Sequence, residues 1–403
     1  MANVVCEYIW LDADNQFRSK TKVLINHEIG SGFPLWNYDG SSTKQAAGKS
    51  SEVFVRPVKV TRDPFRLQGQ FDAFLVLCDT WVVDKEKSKK HNAVVYAPHK
   101  DNTRRQAQAT FSHDKSLKED PWFGIEQEFF FTKRDKSAFC SSANWRGPVG
   151  METLDGKEWV SQNGKEQGKF YCGVGSENVK CREVAEHVLN NIMVCESITC
   201  TGYNWEVAPG QCEFQIFGQG VDAADSLLLF RYILNRTAEI YGYDINYHPK
   251  PMDGDWNGSG CHTNYSTVST RSENGLDAIK TYIAKLEKAH DKHIENYGPD
   301  NKMRLTGDHE TASWEEFTYG VADRGASVRI PTKTFFEKRG YFEDRRPSSN
   351  CDPYLVITKL AETTVLDGEV VSIPETENHI ITRHVEEPII PEHLEEVEEV
   401  EEA

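Results

Sequence analysis

His262 closes a glycine-studded run, residues 251–266, in which Gly254, Gly258 and Gly260 stand among the short polar side chains of Asn257, Thr263, Asn264 and Ser266. Such glycines admit φ > 0 or a close approach of the backbone to a ligand, and the polar groups offer hydrogen bonds along the same stretch. A lone imidazole is ordinarily a satisfied structural residue, so its partners decide what it does. Three carboxylate-bearing segments supply candidates. Glu126 and Glu128 lie two apart in the aromatic run of residues 121–131, a spacing that puts both on one face of a strand. Glu206 and Glu213 sit in two strand-like runs between residues 204 and 217, and Glu343 precedes the cationic pair Arg345 and Arg346. Buried acids need a counter-charge. Glutamates with a single histidine form a mostly oxygen ligand set, suited to hard Mg²⁺ or Mn²⁺ rather than zinc.

These segments come in a fixed order with Trp-Asn-Tyr-Asp-Gly-Ser-Ser-Thr at 36–43, Arg-Leu-Thr-Gly-Asp-His-Glu-Thr at 304–311 and Gly-Val-Ala-Asp-Arg-Gly-Ala-Ser-Val-Arg-Ile-Pro at 320–331. So ordered, they resemble glutamine synthetase of the eukaryotic, type II kind, from about Tyr8 to about Leu366. The resemblance implies ATP-dependent ligation of ammonia to the γ-carboxylate of L-glutamate through γ-glutamyl phosphate. It assigns Glu126, His262 and Glu343 to the ion beside the ATP phosphates, and Glu128, Glu206 and Glu213 to the ion beside the acceptor glutamate. Arg324 and Arg329 would meet the transferring phosphate, Arg324 as a catalytic residue, while Arg304, Arg345 and Trp256 would bind glutamate. Asn264, Tyr265, Ser266, Tyr341 and Phe342 resemble nucleotide contacts. Asp39 and Glu310 resemble the acids that bind ammonium and take its proton, Glu310 on a flap that keeps water out. The family also implies a homo-oligomer, typically two pentameric rings, in which the domain of Asp39 completes a neighbour's site.

Two other readings share part of this pattern: a catalytically silent structural or filament member of the same fold, and another carboxylate-phosphorylating ligase or kinase. Asp39 and Glu310 separate them, because a kinase has no need of ammonium-binding acids.

The elements that must position these groups can be read from the patterning. Short β-like runs at 8–11, 21–25, 53–55 and 74–78 are separated by turn residues, and over residues 1–80 they resemble the small N-terminal β-grasp domain of that family. Gly48-Lys49-Ser50 within it is no phosphate loop, since the required earlier glycine is Thr43. Residues 81–120 read as a polar surface insertion, and residues 133–169 as a divergent loop. Apolar spacing of three and four predicts helices over 179–196, 221–241 and 274–297. Interleaved with the glutamate-bearing strands over residues 121–366, they predict an α+β catalytic domain, a curved antiparallel sheet backed by helices.

Composition excludes several classes. The chain has 403 residues and a net charge of −17, which argues against general nucleic-acid binding. Nine glutamates lie between Glu386 and Ala403, in a tail over 367–403 that is expected to be a solvated acidic appendage. No apolar run approaches the ~20 residues of a membrane helix, and the N-terminus lacks a basic leader, so a cytoplasmic location is expected. The ten cysteines include no Cys-x-x-Cys pair and read as reduced thiols.

Overall fold

The structure, a computed structural model, describes residues 2–67, 69, 71–133, 151–154, 158–161, 167–373 and 380–382. The acidic tail beyond 382 and most of the divergent loop lie outside the described residues. The first sheet is built from β1 (Ala2–Leu11), β2 (Phe17–His27), β3 (Trp36–Asp39), β4 (Glu52–Arg62), β5 (Asp72–Val83) and β6 (Val94–Pro98). Among the described residues β1 runs parallel to β5, while β2 and β4 pair antiparallel to them. One face of β1 buries Val4, Cys6, Tyr8 and Trp10 in a small core of its own. Ile9, with Leu75 and Leu77 of β5, points the other way into the main core, so the sheet is welded to the larger, C-terminal part of the chain.

Sheet structure continues past residue 80, and the expected surface insertion is packed. After the exposed helix α1 (Lys85–His91) come β6, α2 (Thr103–Ser112) and α3 (Asp114–Glu119). Arg104 of α2 is buried against Asp225 in a bidentate pair at 2.8 and 2.9 Å. The charges that make this segment look peripheral therefore include one that is internally neutralised.

The second sheet carries the glutamates. Its strands are β7 (Trp122–Lys133), β10 (Thr199–Trp205), β11 (Gln211–Gln219), β12 (Tyr243–Asn246), β13 (Cys261–Ser266), β14 (Tyr319–Val321), β15 (Val328–Ile330) and β16 (Phe342–Asp344). A separate hairpin pairs β8 (Met151–Leu154) with β9 (Glu158–Ser161). The order is β10-β11-β7-β13-β16-β15-β14, with β12 also on β7. Pairing is antiparallel except between β14 and β15, which run parallel, so the expected antiparallel sheet is mixed. A sharp return through residues 322–327, rather than a hairpin register, brings these two short strands side by side.

Strand alternation sorts the side chains. On β7, Phe123, Ile125, Phe129 and Phe131 are buried on one face while Glu126 and Glu128 project from the other. Burying each of those large apolar groups contributes about 2–3 kcal/mol, which fixes the register and so aims the glutamates. Behind the apolar face pack α4 (Arg182–Val194), α5 (Val221–Tyr241), α7 (Gly275–Lys288) and α10 (Pro353–Thr364), with the shorter α6 (Val268–Arg271), α8 (His290–Asn296) and α9 (Thr332–Glu337) around them. Asp352 caps α10 by accepting from Tyr354 N at 2.8 Å, and Gly242 ends α5 with φ of 73°. The single helix expected over 274–297 breaks at Ala289. Beyond it the chain turns to bury His290 and His293 beside Arg346. A last strand, β17 (Ile380–Thr382), pairs with β6, so part of the expected appendage belongs to the first sheet.

Candidate active site

Register brings the acids together. His262 lies opposite Glu126, Glu213 opposite Glu128, Asn204 opposite Glu213, and Asn264 opposite Glu343. The face of four adjacent strands thus gathers carboxylates that are far apart in sequence. His262 Nδ1 stands 3.5 Å from Glu126, 3.7 Å from Glu128 and 3.6 Å from Glu343. Among the described residues two groups each bring their ligand atoms within 4.8 Å of one another: Glu126, His262 and Glu343, and Glu128, Glu213 and His262. The histidine expected in one set is central to both. Glu206 belongs to neither; it lines the same cavity and accepts from Asn204 Nδ2 at 2.8 Å.

Electrostatics support a cation here. Burial and the neighbouring carboxylates, Glu128 foremost, push the Glu206 carboxyl up to about 8. Burial, then Glu126 and Glu206, pushes Glu213 well above the carboxylate range. Burial and Arg345 bring His262 down to about 4, so its ring is neutral at pH 7 and free to be a ligand. Acids crowded at this spacing are relieved by a divalent ion, and the donor chemistry fits Mg²⁺ or Mn²⁺.

Arginines wall the opposite side. Glu343 is fully buried and held by Arg345 Nη1 at 2.7 Å and by Arg329 Nε. Arg329, expected at the phosphate, thus holds a carboxylate in this conformation. Arg304 is buried, its Nη2 donating to the carbonyls of Arg345, Arg346 and Pro347 at 2.8, 3.0 and 3.1 Å. Burial lowers it to about 10, which leaves it charged at pH 7. Arg324 is exposed at the cavity edge and Glu310 beside it, with Arg345 Nη2 donating to the Glu310 carbonyl at 3.1 Å. His309 and Glu310 hold successive φ of 54° and 59°, each costing on the order of 1 kcal/mol or more for a residue with a side chain.

Several expected residues fall elsewhere. Tyr265 and Phe342 are buried in the core and pack ring against ring at 5.5 Å, on the face away from the acids. Strand alternation turns their side chains away from the acid face. Asn264 turns to the acid face but donates to Glu126 at 2.7 Å, and Ser266 accepts from Arg271 at 3.0 Å. Tyr341 is exposed. Trp256 packs on a small cluster of Phe130, Ala208 and Met252. Asp39 stands at the end of β3 in the first sheet and is not among the described residues lining the cavity. It accepts from Ser41 Oγ at 2.7 Å, Ser41 N at 3.0 Å and Ser42 Oγ at 2.9 Å, which bring it down to about 2.

His309 and Thr311 line the cavity and were not singled out, although they flank Glu310 in the same motif. Gln127 also escaped notice. It breaks the apolar alternation of β7, and its side chain donates to the Glu128 and Ser349 carbonyls while accepting from Arg231 Nε at 2.8 Å. A polar residue at a core position was the available signal.

A sheet face that gathers divalent-ion ligands, ringed by arginines, defines an enzyme class that handles anionic substrates with metal assistance. A family model described as glutamine synthetase, catalytic domain, matches residues 100–294. The glutamine synthetase cytosolic isozyme of Daucus carota is 42% identical over 366 residues, which is 90% of this chain and 95% of that one. Cytosolic isozyme 1-3 of Arabidopsis thaliana is 41% identical, covering 90% and 95%, and glutamine synthetase of Emericella nidulans is 42% identical, covering 90% and 92%. The chain belongs to the glutamine synthetase family.

Proposed function

We propose that this chain ligates ammonia to the γ-carboxylate of L-glutamate, using ATP and passing through γ-glutamyl phosphate, to give L-glutamine, ADP and phosphate. The observation that carries this reading is the pair of acid clusters sharing His262, with Arg304, Arg324 and Arg345 lining the same cavity. Carboxylate oxygen is a poor leaving group, so amide formation in water needs the acyl group activated first. Mg²⁺ or Mn²⁺ held by Glu126, Glu128, Glu206, Glu213, His262 and Glu343 would neutralise the charge on the phosphates and the acceptor carboxylate. Arg324, exposed at the cavity edge, is suited to the transferring phosphoryl group, and Arg304 with Arg345 to the carboxylates of glutamate. Glu310 sits on a backbone pair held in the left-handed region, which suits a flap with two positions.

Asp39 is ionised and exposed, as an ammonium-binding acid must be, yet it lies outside the cavity of its own chain. We therefore assign it to the site of a neighbouring subunit in a homo-oligomer, for which the family resemblance implies two pentameric rings. Residues 1–80 would then serve the neighbour and residues 121–366 the chain's own chemistry. The names of the Daucus and Arabidopsis relatives, both cytosolic isozymes, favour a cytoplasmic location. The deciding experiment is phosphate release from ATP with Mg²⁺, leaving out glutamate and ammonium in turn, on wild type and Asp39→Ala. Release that needs both substrates and collapses in the variant is expected; release with glutamate alone, indifferent to the substitution, would point to a kinase instead.

A further inference from the structure

Asn257, His309 and Glu310 line the cavity from two separate stretches of chain, and Gln167, which is not among the described residues lining it, ties those stretches together. Its Oε1 accepts from the backbone N–H of Asn257, and its Nε2 lies 3.2 Å from Nδ1 of His309. The roles of these atoms follow from one another. A backbone N–H can only donate, so the amide oxygen of Gln167 faces Asn257; its NH₂ group is left for His309, whose Nδ1 has to accept. The ring proton is thereby placed on Nε2, which stands 3.2 Å from Asp255 Oδ1. Both ring nitrogens of His309 are thus held to the 251–266 run, one directly through Asp255 and the other by way of Gln167.

Gln167 is itself well anchored. Gly168 N donates to the Val207 carbonyl at 2.8 Å and Cys172 N to the Trp205 carbonyl at 3.0 Å, with Phe170 buried between them. These bonds fasten the segment on either side of Glu206. The left-handed φ of His309 and Glu310, by contrast, persists only where surrounding contacts over-determine it. Arg345 makes one such contact at the Glu310 carbonyl, and Gln167 and Asp255 make two more at His309. We propose that Gln167 is a positioning residue that latches the Glu310-bearing flap to the 251–266 run and so keeps water from the acyl phosphate. It touches no reacting atom and acts through His309. With the latch broken, a water oxygen attacks the γ-carbonyl carbon of γ-glutamyl phosphate, the bond from that carbon to the phosphate oxygen breaks, and a proton is released. Glutamate is regenerated, and phosphate leaves with no glutamine made.

The latch stands on its own geometry; its effect on the products rests on the proposed reaction. Full-length wild type is compared with Gln167→Ala and with Gln167→Met, which keeps the length of the side chain and removes its amide. Amide hydrogen exchange of the peptide spanning 304–313, without substrates, reads the latch, and phosphate released per glutamine formed, with ATP, Mg²⁺, glutamate and ammonium, reads its consequence. Exchange in that peptide should quicken on the order of 5-fold or more in both variants. Phosphate per glutamine should rise on the order of 5-fold or more as well, whereas loss of a merely structural residue would lower both products together. Adding Gln167→Met to His309→Ala should change neither reading further. Exchange as slow as in wild type would overturn the latch, and faster exchange with an unchanged product ratio would overturn its role against water. Additive effects with His309→Ala would overturn the route through the imidazole. A wild type that makes no glutamine would count against the proposed reaction and leave the exchange measurement to decide the latch.

Discussion

Glu206 and Glu213 hold protons in the folded chain that a cation has to displace. With Glu206 raised to about 8 and Glu213 raised well above the carboxylate range, binding of Mn²⁺ below about pH 8 releases protons to solvent. The sign follows: apparent Mn²⁺ affinity rises between pH 6 and about 8, as Glu206 loses its competing proton. Calorimetry in buffers of different ionisation heat measures both; a pH-independent affinity without proton release would mean the acids are already ionised. In the metal-free protein the same raised value favours the fold below it and withdraws that support as pH rises through about 8. Arg324 offers a cleaner probe of catalysis because it is exposed. Arg324→Ala should lower kcat ~10²–10³-fold while leaving the melting temperature unchanged, if it meets charge that develops in the transition state. Single residues such as Glu126 and Glu128 were legible because a two-residue spacing has one meaning in a strand. The burial of the Tyr265 and Phe342 side chains was not legible, because a motif names residues and not which way each one faces.

At the scale of elements, the glycines of the 251–266 run prove to serve the protein before any ligand. A Cβ on Gly258 would meet Arg304 Cγ at 2.3 Å and the Pro249 carbonyl at 2.5 Å. Gly258→Ala should therefore displace Arg304, raising KM for glutamate more than it alters Mn²⁺ affinity; steady-state kinetics beside metal titration separates the two. The pair between α2 and α5 tests the reassigned segment of residues 81–120. Asp225 accepts from Arg104 and, at 2.5 Å, from Tyr354 of α10. Asp225→Ala leaves a buried guanidinium unpaired and should cost about 3–5 kcal/mol in urea unfolding. A change under ~0.5 kcal/mol would mean the segment is peripheral after all. Periodicity could not reveal this pairing, since Arg104 looks like any solvated charge until α5 is laid beside it. The bounds of α5 were legible, because apolar spacing runs unbroken from Val221 to Tyr241 and a glycine comes next.

On the scale of the whole molecule, the separation of Asp39 from the acid clusters makes a prediction that no single chain can satisfy. If subunits share sites, Asp39→Ala and Arg324→Ala are each inactive alone, and dissociating and reassembling them together restores activity that neither parent has. Mixed assemblies with no recovery, in protein shown by mass to contain both chains, would put Asp39 outside catalysis. By itself the sequence determined the family, the oxygen-rich ligand chemistry and the α+β alternation, because these depend on residue type and short-range spacing. Tertiary structure alone decided that His262 serves both clusters, that Glu206 stands outside them and that Arg329 grips Glu343. It also decided that Arg231 reaches the sulfurs of both Cys261 and Cys351. The reason is physical: strand register and helix packing join residues that local spacing leaves unrelated, and only the burial of the whole core selects one register from the many that local spacing allows.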